Sequence, residues 1–301
     1  MRIAVLDDIH AAYEGTPGVA RLRRRAEVVI FEQGQTVERL REFDALVANR
    51  ERTRFTRELL EALPRLRIIA QTGNHAYHVE LAAAAERGVI VARATGGFSY
   101  GAAELAIALA LALVRQIPAA DAAMKRGEWR TPMTRVLHNK TLGIVGLGHV
   151  GRHVATLAGA FGMQVQSWSR NAPPAALDAL LESSDVVSIH ATLSGQTRGL
   201  IDARRLALMK PTAYLVNTAR GAIVDEAALV SALREGRIAG AGLDVFAEEP
   251  LPAGHPLTQL PNVVLTPHLG WPTDEAYERF ADAAADVILA WLDGQDVPRF
   301  E

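Results

Sequence analysis

Cysteine is absent from the 301-residue chain. Disulfides, thiolate nucleophiles and cysteine-bound metal centres are therefore excluded, and a cytoplasmic home fits. Charge of one sign is equally scarce. The 32 Lys and Arg residues nearly cancel the 34 Asp and Glu, leaving a formal net charge of −2. So weak a field does not gather nucleic acid or an anionic membrane, and neither partner is expected. Apolar runs are short. The stretch Ala102–Val114 has Glu104 near its start and Arg115 at its end, and it cannot span a bilayer. As a helix apolar all round, it is expected to be buried between domains or subunits. The opening Met1–Asp8 reads as a short strand ending in acids, not as a secretory leader.

What is present is an alternation of strand and helix signals, in a chain long enough for two domains. Candidate strands lie at Ile3–Leu6, Val28–Phe31, Ala45–Ala48, Ile68–Gln71 and Val89–Ala92. A second set lies at Thr141–Val145, Gln164–Ser167, Val186–Ile189, Ala213–Asn217, Gly240–Asp244 and Val263–Thr266. Helical spacing intervenes at Thr56–Leu63, Val79–Arg87, Gly151–Phe161, Leu177–Ser183, Ala203–Leu208 and Glu226–Glu235, with a last helix over Thr273–Leu292. This βαβ rhythm predicts two α/β units with parallel sheets, joined at Ala102–Arg115.

The strand Leu142–Val145 opens into Gly146-Leu147-Gly148-His149-Val150-Gly151 and then into helical spacing. At such a turn the first glycine permits tight chain reversal. The second lets backbone approach a pyrophosphate, and the third lets the helix pack against the sheet. The helix start supplies N–H groups and a partial positive charge for a diphosphate. A packing turn without a ligand is the plain alternative.

Three later strand ends carry reactive side chains: Arg220, Glu249 and His268. Singly, each has a structural explanation as a surface ion-pair partner, a cap before Pro250 or a loop histidine. On successive strand ends of an open α/β sheet they can meet in one crevice, where histidine moves a proton and arginine forks onto a carboxylate. His190 also ends a strand and is the rival histidine. The other histidines show no metal-ligand spacing, and no catalytic metal is expected.

The segments Gly146–Gly151, Asn217–Asp225, Leu243–Pro250 and Thr266–Gly270, in this order, resemble those of the D-isomer-specific 2-hydroxyacid dehydrogenase family. The resemblance runs over nearly the whole chain. It implies an α/β fold of two Rossmann-like domains. A dinucleotide-binding domain, residues 99–271, is inserted into a discontinuous flavodoxin-like substrate domain, residues 1–98 with the terminal helix in 272–301. It implies hydride transfer between a nicotinamide cofactor and a 2-oxo acid or D-2-hydroxy acid. His268 resembles the family's acid/base, Glu249 its paired acid and Arg220 the substrate-orienting arginine. Asp244 resembles the acid that holds the nicotinamide carboxamide. His149, Val150, His190 and Thr218 fall around the cofactor. Gly73 and Asn74 lie where backbone amides bind the substrate carboxylate. Arg50 and Arg52 lie where some relatives contact a distal group, with plain surface arginines equally open. Relatives dimerise through the cofactor domain, so a homodimer is expected.

Three departures stand out. No acid follows the second cofactor-domain strand, where Ser169 and Arg170 stand instead. A hydroxyl and a guanidinium there favour NADP(H), with NAD(H) possible. The segment after Asn171 is shorter than in relatives. Thr192 replaces a common proline. A dinucleotide-sensing corepressor on the same scaffold is the alternative from another class, and a formate or phosphite oxidiser is a further rival.

Overall fold

A computed structural model describes every residue except 34, 74, 97–99, 130–131 and 301. The chain divides into two units, one comprising Met1–Phe98 with Pro272–Glu301 and the other Ser99–Trp271.

The first unit holds strands β1 (Arg2–Val5), β2 (Glu27–Ile30), β3 (Ala45–Ala48), β4 (Ile68–Gln71) and β5 (Ile90–Arg93), all parallel, in the order β2-β1-β3-β4-β5. Strands β3 and β4 are buried throughout, as their unbroken apolar runs require of a sheet covered on both faces. Its helices are α1 (Pro17–Arg23), α2 (Val37–Leu40), α3 (Arg57–Glu61), α4 (Leu81–Glu86) and the long α11 (Asp274–Leu292). Helix α11 is capped by Thr273, whose hydroxyl accepts from Ala276 N. It buries Tyr277, Phe280, Ala281, Ala284 and Ile288, a stripe at helical spacing. Gly18 lets α1 reach it: a Cβ there would stand 2.2 Å from the carbonyl carbon of Ala281. Beyond α11, Arg299 bridges Ala92 and covers the edge strand β5.

The second unit holds β6 (Thr141–Val145), β7 (Gln164–Trp168), β8 (Val186–Ile189), β9 (Tyr214–Asn217), β10 (Gly240–Leu243) and β11 (Val263–Leu265), in the order β11-β10-β9-β8-β6-β7. These strands are also parallel. Its helices are α5 (Tyr100–Val114), α6 (Ile117–Lys125), α7 (His149–Ala160), α8 (Pro174–Ser183), α9 (Ala203–Leu208) and α10 (Glu226–Arg234). Helix α5 buries Ala103, Ala106, Ile107, Leu109, Ala110 and Leu113 within this unit. Glycine on β10 makes room for it: a Cβ on Gly242 would lie 2.9 Å from Leu109 Cβ.

Each expected strand is present with its ends within one residue. Helix starts differ more: α5, α7 and α8 begin two or three residues early, at Tyr100, His149 and Pro174, and α4 begins two residues late, at Leu81. Helix α4 begins at Leu81 because Val79 bridges Phe55 and Glu80 N donates to Phe55 O at 3.0 Å. Helix α8 begins at Pro174, whose fixed φ suits the first turn. Helices α1, α2 and α6 go beyond the sequence reading.

Candidate active site

Gly146 directly follows β6 with φ +103, where an L side chain is strained, and a Cβ there would come within 2.6 Å of Ala191 N. The loop after β8 thus closes onto the turn after β6, where the strand order reverses. Gly151 is a packing glycine, since its Cβ would meet Gly146 O at 2.3 Å. Gly148 is different. Its backbone is extended, and nothing lies within 4 Å of where its Cβ would be. Helix α7 starts at this opening with no side-chain cap, leaving its first N–H groups and its dipole unanswered. Packing explains Gly146 and Gly151. Gly148 is accounted for by a group that must come close, and an anionic diphosphate fits that cradle. His149 is exposed and Val150 half-buried beside it.

Strand β7 is the sheet edge. Trp168 is buried at its end, and Ser169 and Arg170 follow, both exposed. Ser169 O accepts from Ala172 N at 2.8 Å, so the short segment after Asn171 turns at once toward α8.

Strands β9, β10 and β11 are neighbours, and their carboxyl ends bring Arg220, Glu249 and His268 into one part of the unit. Asn217 shapes the first loop: its Nδ2 donates to Arg220 O and its Oδ1 accepts from Ala219 N, each at 3.0 Å. Arg220 is half-buried, with Nη1 donating to Ala219 O at 2.7 Å. Thr218 Oγ1, beside it, is buried without a hydrogen-bond partner.

Asp244 is fully buried and shapes the last loop. Its Oδ1 accepts from Thr266 Oγ1 and Leu269 N, each at 2.6 Å, and its Oδ2 accepts from Gly270 N at 2.9 Å. Burial pushes its carboxyl above the ordinary range, although these hydrogen bonds pull the other way. His268 sits between them in the left-handed region, φ +56, its N–H shared by Asp244 O and Thr266 O at 3.0 Å. Its Nδ1 lies 2.7 Å from Glu249 Oε2, while Glu249 Oε1 accepts from Phe246 N at 2.9 Å. Burial works against the charge on Glu249. The His268 and Phe246 hydrogen bonds and the charge of Arg220 outweigh it and hold the carboxyl below its ordinary range. An ionised Glu249 makes Nδ1 the donor, so Nε2 is the nitrogen left for another partner.

His190 stands apart from this pattern. Its Nε2 pairs with Ser188 Oγ at 2.8 Å, and burial pushes it down to about 4, so it is neutral at neutral pH.

In the first unit, Arg50 follows β3 with φ +60, and its Nε lies 3.5 Å from Glu51 Oε2. Arg52 is exposed. Thr72 Oγ1 accepts from Arg50 N at 3.1 Å, and Gln71 Nε2 donates to Arg50 O at 3.0 Å. Gly73 is buried beside them, whereas Asn74 lies outside the described residues. Glu51 went unnoticed in the sequence, where Gln71 stands only at the head of the substrate loop and His78 only among the histidines without metal-ligand spacing; the strand-end rule, applied to β3 and β4, points to all three. Among the described residues no group of three or more His, Cys, Asp or Glu is placed to hold a metal ion. No single described helix is long and apolar enough to cross a membrane.

Residues 107–270, more than half of the chain, match the family model described as D-isomer specific 2-hydroxyacid dehydrogenase, NAD binding domain. The chain belongs to the D-isomer specific 2-hydroxyacid dehydrogenase family. This 2-hydroxyacid dehydrogenase is 38% identical over 306 residues to a glyoxylate reductase of Thermofilum pendens, covering 94% of this chain and 90% of that one. The TT0316 protein of Thermus thermophilus matches its structure with a TM-score of 0.88 at 37% identity, over 99% of each chain. An acyclic imino acid reductase in complex with NADPH and D-Arg matches with a TM-score of 0.83 at 26% identity, over 100% of each chain. The two-domain Rossmann arrangement expected from the sequence is that of these structures. Kinship makes the dinucleotide a nicotinamide cofactor and the reaction class hydride transfer between a 2-oxo acid and a 2-hydroxy acid. The corepressor alternative is not favoured, because the relatives carry enzyme names.

Proposed function

We propose that this dehydrogenase reduces a small 2-oxo acid to its D-2-hydroxy acid, with NADPH preferred over NADH. The observation that carries the mechanism is the 2.7 Å pair of His268 Nδ1 with Glu249, beside Arg220. The cofactor supplies the hydride and the protein supplies placement, charge and the proton. Glu249 holds the imidazolium and fixes its orientation, so that Nε2 delivers a proton to the substrate carbonyl oxygen as negative charge develops there. Arg220 orients the substrate carboxylate and stabilises the same charge. By the family resemblance, Gly73 and Asn74 are assigned to the substrate carboxylate, and Arg50 and Arg52 either to a distal group or to plain surface positions.

Gly146, Gly148, His149, Val150 and Gly151 would seat the diphosphate at the start of α7. Thr218, with its unanswered buried hydroxyl, His190 and Asp244 would border the nicotinamide. Ser169 and Arg170 would take a 2′-phosphate, a preference supported by the absence of an acid at that strand end. The deciding experiment is a panel of 2-oxo acids assayed with NADPH and NADH separately. Absence of turnover with every acid and both cofactors would refute the assignment.

A homodimer through α5 and the following segment accompanies this reading. Leu105, Leu111 and Ala112 on α5 are only partly buried, and Trp129 is exposed. Light scattering should give twice the chain mass, and a monomer at micromolar concentration would refute it.

A further inference from the structure

The strand order of the first unit reverses between β1 and β3, and ligands of open α/β sheets settle outside the carboxyl ends at such a reversal. Glu51 stands there, three residues beyond the end of β3. It is half-buried, and its Oε2 faces Arg50 Nε at 3.5 Å. Its other oxygen, Oε1, is buried without a hydrogen-bond partner and lies 3.4 Å from the point a Cβ on Gly73 would occupy. A carboxylate oxygen thus overhangs the turn proposed to receive the substrate.

His78 lies in the same cluster, and its charge state and tautomer follow from its surroundings. Burial lowers its proton affinity, against the pull of Glu51, and it is neutral at neutral pH. The amide of Gln71 donates to Arg50 O, so its oxygen accepts at 3.2 Å from His78 Nε2, which therefore carries the proton. His78 Nδ1 is left as an acceptor, buried and without a partner. Both orphaned atoms of the cluster are acceptors. Such atoms are costly until a donor meets them. A ligand group with an O–H or N–H meets that need, whereas a phosphate or second carboxylate brings more acceptors and a like charge.

We propose that Glu51 is a specificity-determining residue that disfavours 2-oxo acids with a second anionic group and favours those whose distal substituent donates hydrogen bonds, such as a hydroxyl. The proposal rests on the 2-oxo-acid reading given above. It assigns Glu51 a selective role opposite in sign to that of the flanking Arg50 and Arg52.

The test compares kcat/KM for 3-hydroxypyruvate with that for 3-phosphooxypyruvate and oxaloacetate, in wild type, Glu51→Gln, Glu51→Ser and Glu51→Asp. Wild type should favour hydroxypyruvate. Glu51→Gln should shift the ratio toward the dianions by about tenfold or more, because a like charge within a few ångströms is removed from a partly shielded site. Glu51→Ser removes the same charge should the glutamine variant fold poorly, and Glu51→Asp should keep the wild-type ratio. Turnover of 2-oxo acids with a ratio that neither neutral variant changes would overturn the role of Glu51 alone. So would an aspartate variant that behaves like the neutral ones. Wild type without turnover of any 2-oxo acid would overturn both readings at once.

Discussion

At the carboxyl end of the second sheet the protein answers its own charges. Asp244 takes three hydrogen bonds, and Glu249 takes one from Phe246 N while pairing with His268. At the carboxyl end of the first sheet, Glu51 Oε1 and His78 Nδ1 are buried with no partner. Both regions are strand ends of parallel α/β sheets, so the difference does not come from the fold type. It comes from which groups must be fixed in advance. A proton donor works only when its orientation and charge are set beforehand. A pocket that selects among ligands works by leaving polar atoms for the ligand to complete.

Breaking the preorganised side should have the largest effect. His268→Gln removes the proton donor while sparing the cofactor cradle, so turnover should fall by about 10²–10⁴-fold with nucleotide binding retained. Near-normal turnover in that variant, together with an inactive His190→Gln, would reverse the assignment. Arg220→Lys cannot reproduce a planar fork. A charge-assisted hydrogen bond is worth about 1.5–3 kcal/mol, so kcat/KM should fall by about tenfold to a hundredfold, with a raised KM. Steady-state kinetics that leave KM unchanged would remove the carboxylate clamp.

The cofactor end sharpens the contrast further. Ser169→Asp with Arg170→Ile should reverse the order of NADPH and NADH, by about tenfold, because an acid repels a 2′-phosphate and accepts ribose hydroxyls. Equal use of both cofactors before and after the change would show that these residues do not read the ribose. The smallest effect separates two glycines of one motif. Gly151→Ala drives a Cβ toward Gly146 O and should cost about 1–3 kcal/mol of stability. Gly148→Ala meets open space, so its melting temperature should stay at the wild-type value while nucleotide affinity drops several-fold. Calorimetry and nucleotide titration of both variants check the pair, and an unaltered affinity in Gly148→Ala would leave that glycine unexplained.

Strand positions were legible because each strand is a local event. The run Leu142–Val145 is apolar and β-branched, and its glycine turn is contiguous in sequence. Arg220, Glu249 and His268 were equally legible as strand-end residues. Helix starts were less so. Val79 reads as helical, yet the bridge to Phe55, 24 positions away, holds it extended.

The sequence by itself determined the alternation of parallel strands and helices, the glycine turn at Gly146–Gly151 and the family to which the chain belongs, since each is written in contiguous residues. Tertiary structure decided what those residues meet. Asp244 finds Thr266 across 22 positions because β10 and β11 are adjacent, and Glu51 overhangs Gly73 because β3 pairs with β4. Strand order sets both contacts, and strand order is a property of packing apolar faces between layers of helices, which no single segment specifies.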